Sequence, residues 1–308
     1  MSDSVRIYEV APRDGLQNEP EFVETADKLR FIEALADAGY TDIEVGSFVR
    51  PRWIPQLADT AEVVRNLPHR DGLTFWALVP NRRGLERALD AGMSAVATFL
   101  SASETHNKKN LNRTVRETLA VQRELIGTAG DEGLRVRAYI STVFGCPYEG
   151  AIDPARPVRL ASELLAAGAE TVALGDTTGM AHPSQVQDVV ARFVEAGIPL
   201  ERLALHMHDT RGTALANCYA GFQAGIRTFD GSVAGLGGCP YAPGAAGNAS
   251  SEDLIYMFEA MGVPTGLDLD AVCEAGIGLS EVLGRDLPGR YHRYYKGSRP
   301  VAGAVKTA

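Results

Sequence analysis

Long apolar runs are missing from this chain of 308 residues, and with them any stretch of the ~18 consecutive apolar residues that a membrane span needs. Met1-Ser2-Asp3-Ser4 leads into a strand-like run instead of a charged-then-apolar signal segment, so the chain is expected to be soluble and unprocessed. Cysteine is scarce. Cys146, Cys218, Cys239 and Cys273 are too few for a disulfide scaffold, and no Cys-x-x-Cys spacing suggests a structural zinc site, so a reducing cytoplasm is the expected home. Basic residues fall short of acidic ones, 30 against 39, which leaves a net charge of −9. A surface built to neutralise a polyanion needs clustered Lys and Arg, so neither nucleic acid nor a membrane is expected as a partner. No Gly-x-Gly-x-x-Gly follows the first strand-like run, which removes the dinucleotide-binding form of an open sheet.

What is present is apolar material for a large core, 45% of the residues, arranged in a repeating grammar. Eight β-rich runs stand out: Val5–Val10, Asp42–Val45, Leu73–Val79, Ala95–Leu100, Arg135–Val143, Thr171–Leu174, Leu203–His206 and Thr228–Ser232. Between them lie amphipathic segments predicted to be helical: Thr25–Ala38, Arg82–Ala91, Val115–Glu132, Pro154–Ala167, Pro183–Ala196 and Gly212–Ala224. Several close on Ala-Gly, as at Gly39, Gly92, Gly168, Gly197 and Gly225, where a left-handed C-cap is cheapest. Strands separated by helices pair in parallel through right-handed crossovers, and eight such units predict an α/β fold, a closed (β/α)8 TIM barrel. Helices near Ser251–Met261 and Asp268–Leu283 form a C-terminal extension. The reading is one catalytic domain over 1–285 and a surface tail over 286–308.

In such a barrel, catalytic groups sit where strands end. Arg13 and Asp14 follow the first run, Glu44 lies near the end of the second, Asp176 follows the sixth, and His206-Met207-His208 ends the seventh. His206 and His208, two residues apart on an extended strand, point to one face and can converge on one ion; equally, they are two polar residues of a strand-end loop. Asp14 and the amide oxygen of Asn248 would complete a ligand set. Two imidazoles, a carboxylate and an amide suit Mg²⁺ or Mn²⁺, and the ligand types also admit Zn²⁺ or Co²⁺. Arg13 reads either as an ion-pair partner of Glu44 or as a donor to an enolate oxygen. Glu44 and Asp176 read either as general bases or as groups that orient others. Cys239, inside a run of glycines, could be delivered to a site by a mobile loop and exchange a proton with a carbanion. Cys146 has no assigned role. Lys108, Lys109 and Arg113, in the expected loop after strand four, form a local basic patch that could meet substrate phosphates.

Glu9-Val10-Ala11-Pro12-Arg13-Asp14-Gly15-Leu16-Gln17-Asn18-Glu19, Gly145–Gly150, His206-Met207-His208-Asp209-Thr210 and Gly235-Leu236-Gly237-Gly238-Cys239-Pro240-Tyr241 together resemble the 3-hydroxy-3-methylglutaryl-CoA lyase family of metal-dependent TIM-barrel enzymes. The likeness runs from about Val5 to Leu283. It implies a divalent metal on Asp14, His206, His208 and Asn248, Arg13 stabilising the enolate of acetyl-CoA, and Cys239 in proton transfer. It also implies that Glu44, Asp176 and Gln17 lie in or near the site, that an acyl-CoA thioester is the partner, and that the chain forms a homodimer or larger homo-oligomer. The implied reaction is a retro-Claisen cleavage to acetyl-CoA and acetoacetate. Pro20 after Gln17-Asn18-Glu19 and the segment Glu104–Asn110 depart from the family pattern, which leaves open a citramalyl-type or longer-chain substrate. Two further readings are a condensing enzyme or 2-oxo-acid aldolase on the same scaffold, and a non-catalytic metal-binding barrel.

Overall fold

A computed structural model describes residues 4–239 and 242–299, with the backbone alone for residue 239 and residues 242–246. Eight parallel strands close into a barrel: β1 (Arg6–Glu9), β2 (Asp42–Ser47), β3 (Thr74–Leu78), β4 (Ala95–Ser101), β5 (Arg135–Ser141), β6 (Thr171–Asp176), β7 (Leu203–Met207) and β8 (Thr228–Gly231). Closure comes from β1 pairing with β8 in the register Arg6 to Thr228 through Glu9 to Gly231. Helices Thr25–Asp37, Arg82–Ala91, Val115–Asp131, Ala155–Ala166, Pro183–Glu195 and Ala214–Gln223 cover the outside, close to the bounds read from the sequence. The five glycines of the Ala-Gly pairs all sit at positive φ, as a left-handed cap requires. The main core lies between strands and helices and includes Ile32, Leu35, Ile43, Val96, Ile140, Leu174, Phe193, Leu205 and Phe229. No helix among the described residues is long and apolar enough to cross a membrane.

One helix is added to those read from the sequence, and two expectations need correction. A helix, Thr60–Arg65, follows β2; at 6 residues it is too short to show a period. The basic patch after β4 is not a loop: Lys108 and Lys109 lie on the helix Glu104–Leu111, and only Arg113 lies beyond it. That helix is almost wholly polar, and local capping defines it. The Ser103 side chain accepts the His106 N–H at 3.0 Å, and Asn112 closes the other end in a left-handed conformation. Finally, the expected surface tail is packed as far as it is described, because Leu287 and His292 are buried and Arg290–Ser298 is a helix. Its outward faces carry Arg, Tyr and Lys, which hides the buried side from a composition reading.

Glu9, the last residue of β1, is fully buried between the barrel and its C-terminal helices. Its carboxylate accepts from the Ala11 N–H at 2.8 Å, the Val233 N–H at 3.0 Å and the Ser251 hydroxyl at 2.6 Å. Burial outweighs these donors and pushes its pKa from 4.5 up to about 7. The native state therefore holds a proton that the unfolded chain has released. The stabilisation is complete below about pH 4.5 and is lost as pH rises through about 7, on the order of 3 kcal/mol in all. Glu9→Gln is expected to flatten this part of the dependence. Denaturant titration at pH 5 and pH 8 checks it: an unchanged difference between the two pH values would assign the dependence to other groups.

Candidate active site

The chain leaves β1 in a single π turn, Ala11–Gly15, that delivers two charged side chains to the barrel mouth. Its geometry comes from one carbonyl, Val10, which accepts the N–H groups of Arg13, Asp14 and Gly15 at 3.1, 2.7 and 3.3 Å. Such turns recur at functional sites because they widen the helix and redirect its side chains. Here Arg13 and Asp14 are both buried and hydrogen-bond to each other. Burial alone would raise the Asp14 pKa, but the Arg13 guanidinium and the imidazoles of His206 and His208 hold it down at about 2.

At the end of β7, His206 and His208 point to the same face, as their spacing requires. Their Nε2 atoms are 3.2 Å apart, and the His206 Nε2 is 3.8 Å from Asp14 Oδ2. One ligand atom from each of Asp14, His206 and His208 lies within 4.8 Å of the others. Asn248 is fixed by its Nδ2, which donates to the Leu236 carbonyl at 3.2 Å, while its buried Oδ1 has no hydrogen-bond partner among the described residues. A Cβ on Gly237 would stand 2.7 Å from Asn248 Nδ2, so glycine is required there for the loop to pass. Two facing imidazole nitrogens and a carboxylate held ionised form a cluster that could hold a divalent metal, and the orphaned amide oxygen of Asn248 is a candidate fourth donor. Burial and the neighbouring His206 lower the His208 pKa to about 3, so its ring is neutral and free to ligate.

Beneath this cluster the barrel interior is ionic. Glu44 is fully buried and accepts from Arg13 Nε, from the Tyr139 hydroxyl at 2.6 Å and from the Tyr8 hydroxyl at 3.2 Å. Its oxygens are committed, and it orients Arg13 instead of facing the cavity. The His206 Nδ1 lies 3.0 Å from Asp230 Oδ2, and the other Asp230 oxygen pairs with Arg137, whose guanidinium lies 3.8 Å over the Tyr8 ring. An imidazole held at Nδ1 by a carboxylate presents Nε2 outward in a fixed tautomer. Asp230→Asn is expected to weaken divalent-metal binding by about 10–100-fold. It should also destabilise the chain by about 3–5 kcal/mol, because buried Arg137 loses its counter-charge. Mn²⁺ titration and thermal melting check both, and unaltered metal affinity would show that the Asp230 charge does not support His206.

A cavity of about 270 Å³ opens above these groups. Arg13, Asp14, Gln17, His206 and His208 form its polar wall, and Val49, Ile54, Leu78, Phe99 and Ile140 line the apolar side. Gln17 donates to Asp14 Oδ1 at 2.5 Å. The other expected site residues lie elsewhere. Asp176 has its oxygens taken by the N–H groups of Met180 at 2.7 Å and Ala181 at 3.1 Å, and burial raises its pKa to about 6; its neighbours Gly175 and Thr177 reach the cavity instead. Lys108, Lys109 and Arg113 are exposed and outside the lining, whereas His106 and Asn110 of the same segment are in it. The Cys239 side chain lies outside the described residues. Cys146 is buried and structural: its thiol donates to the Ser103 hydroxyl at 3.0 Å.

Sequence reasoning missed Tyr139, Arg137 and Asp230. The signal was available, since Arg137 and Tyr139 alternate with Val136, Ala138 and Ile140 along a buried parallel strand, where a charge is costly unless paired.

The sequence model of the HMGL-like family matches residues 4–277. The chain is 47% identical to the hydroxymethylglutaryl-CoA lyase YngG of Bacillus subtilis, over 96% of this chain and 98% of that one. It is 46% identical to the 3-hydroxy-3-isohexenylglutaryl-CoA/hydroxy-methylglutaryl-CoA lyase of Pseudomonas aeruginosa, over 91% and 93%. Its fold superposes on an HMG-CoA lyase from Acinetobacter baumannii in complex with coenzyme A and 3-methylmalate, with a TM-score of 0.91, 39% identity and coverage of 98% and 99%.

Proposed function

The chain belongs to the HMGL-like family, and from that premise we infer that it cleaves 3-hydroxy-3-methylglutaryl-CoA to acetyl-CoA and acetoacetate. It is a carbon–carbon lyase. One observation supports the reaction most: Asp14, His206 and His208 converge beside a buried arginine on one cavity wall, and Asn248, bridged to His208 through the backbone, has an amide oxygen with no partner among the described residues.

Asp14, His206, His208 and Asn248, two oxygen and two nitrogen donors, would hold the metal, Mg²⁺ or Mn²⁺ in this reading. When bound, such an ion lowers the pKa of a coordinated hydroxyl and orients the substrate. The remaining work falls to the chain. A base takes the proton of the tertiary hydroxyl, its oxygen becomes the ketone of acetoacetate, and the bond between C2 and C3 breaks with its electron pair left on C2. The resulting thioester enolate carries its charge on oxygen. Arg13, aimed by Glu44 and Tyr139, offers N–H donors to that oxygen without reorganising. C2 then takes a proton to give acetyl-CoA, and the Cys239 thiol, on the loop that follows β8, is the donor in this reading. Lys108, Lys109 and Arg113, exposed on the segment that carries His106 and Asn110, would meet the phosphates of the coenzyme at the rim.

A second substrate is favoured by a specific feature. The apolar wall formed by Val49, Ile54, Leu78, Phe99 and Ile140 exceeds what one methyl group needs, and one relative is named for a 3-isohexenyl substrate. Rates of acetyl-CoA release from the 3-methyl and 3-isohexenyl thioesters decide between them. A higher kcat/KM with the methyl compound is expected, and the reverse order would transfer the assignment to the longer chain.

A further inference from the structure

The C-terminal helix Arg290–Ser298 rests on the turn Val233–Gly235, and a buried pair sits between them. Glu252 is 0% exposed and His292 1%. Glu252 Oε1 and His292 Nδ1 stand 3.6 Å apart, and neither that oxygen nor either ring nitrogen has a hydrogen-bond partner among the described residues. The other carboxylate oxygen accepts the Ala234 N–H at 2.7 Å and the Ser250 hydroxyl at 2.9 Å. From the helix side, the Gly289 N–H donates to the Ala234 carbonyl at 2.7 Å. Asp253 accepts the N–H groups of Tyr291 at 2.6 Å and Arg290 at 3.3 Å. Fit is tight on both sides: a Cβ on Gly289 would stand 2.8 Å from the Ala234 carbonyl carbon, and one on Gly276 would stand 2.9 Å from His292 Nδ1.

Ala234 has φ of 55°, a left-handed conformation that is costly for alanine and persists only where its surroundings impose it. Glu252 and Gly289 are those surroundings. Two residues on, the Leu236 carbonyl accepts from the Ser232 hydroxyl at 2.7 Å and from Asn248 Nδ2 at 3.2 Å. The backbone that the helix pins therefore also aims the fourth metal-ligand candidate.

We propose that His292 is a positioning residue: with Glu252 it locks the C-terminal helix onto the Val233–Gly235 turn and thereby holds Asn248 oriented toward the metal. The kinetic part of this proposal rests on the lyase reading; the metal-binding part does not.

The test uses the full chain carrying His292→Ala or His292→Gln, each measured well below its own melting midpoint. For His292→Ala, Mn²⁺ affinity and kcat are each expected to fall by about tenfold, with KM for the thioester within about twofold. His292→Gln, which retains a donor toward Glu252, should recover most of both. A lowered melting midpoint with Mn²⁺ affinity and kcat within about twofold of the unaltered chain would overturn the proposal, as would losses that glutamine fails to restore. If His292→Ala does not fold, Gly289→Ala, which pushes the helix off Ala234, carries the same expectation, and normal Mn²⁺ affinity in it would overturn the proposal. If the unaltered chain binds Mn²⁺ but cleaves no thioester, the lyase reading falls while the Mn²⁺ comparison still decides this one.

Discussion

Arg13→Gln is expected to lower kcat by about 10³–10⁴-fold while KM changes little. Loss of one preorganised oxyanion donor typically costs about 10²–10³-fold, and a guanidinium removes a full charge besides. Arg13 is also as rigid as a donor can be, because Glu44 accepts its Nε, Tyr139 and Tyr8 fix Glu44, and the Tyr139 ring lies 5.7 Å from the guanidinium carbon. The same construction predicts a cost in stability. Without Arg13, Glu44 is a buried carboxylate facing only neutral donors, which destabilises by about 3–5 kcal/mol. The double variant Arg13→Gln with Glu44→Gln separates the two effects: its melting midpoint should recover in part, since Asp14 still lacks Arg13, and its kcat should not. Steady-state kinetics and thermal melting read both. A kcat within tenfold of the unaltered chain would remove Arg13 from the chemical step.

The second large effect is on the metal. His208→Ala and Asp14→Asn should each weaken Mg²⁺ or Mn²⁺ binding by more than the roughly 10–100-fold that loss of an outer-sphere partner costs, and should abolish turnover at ordinary metal concentrations. The two differ in what they leave behind. His208→Ala removes one neutral donor and relieves the 3.2 Å approach of the two imidazoles, so the metal-free fold should be as stable or slightly more so. Asp14→Asn removes one of the two carboxylates that pair with Arg13, and the metal-free fold should weaken. Calorimetric titration with Mn²⁺, alongside melting curves in chelator, reads both. Metal affinity that survives either change would place the ion elsewhere.

The barrel and its candidate metal ligands were legible because both obey spacing rules. Strand-helix alternation closed by Ala-Gly recurs along the chain, and a carboxylate or imidazole at the end of a buried parallel strand has few harmless explanations. What was not legible depends on contacts between distant residues. Arg137 and Asp230 meet across 93 positions, and Glu44 meets Tyr139 across 95, so nothing local marks Asp230 as the support of His206. Asp176 looked like a site acid because it follows a strand, but its oxygens bind the turn after it. The basic patch concealed another feature: a polar helix turns Lys108 and Lys109 outward and brings His106 and Asn110 to the cavity. The helix Arg290–Ser298 was hidden because only its one buried histidine faces inward.

The claim that this barrel mouth performs a metal-dependent retro-Claisen cleavage is tested most directly by following 3-hydroxy-3-methylglutaryl-CoA to products. The chelator-treated chain should be inactive. With Mg²⁺ or Mn²⁺ restored, it should release acetyl-CoA and acetoacetate in equal amounts, one of each per substrate consumed. Full turnover in excess chelator, or consumption of the thioester without acetoacetate, would contradict the account.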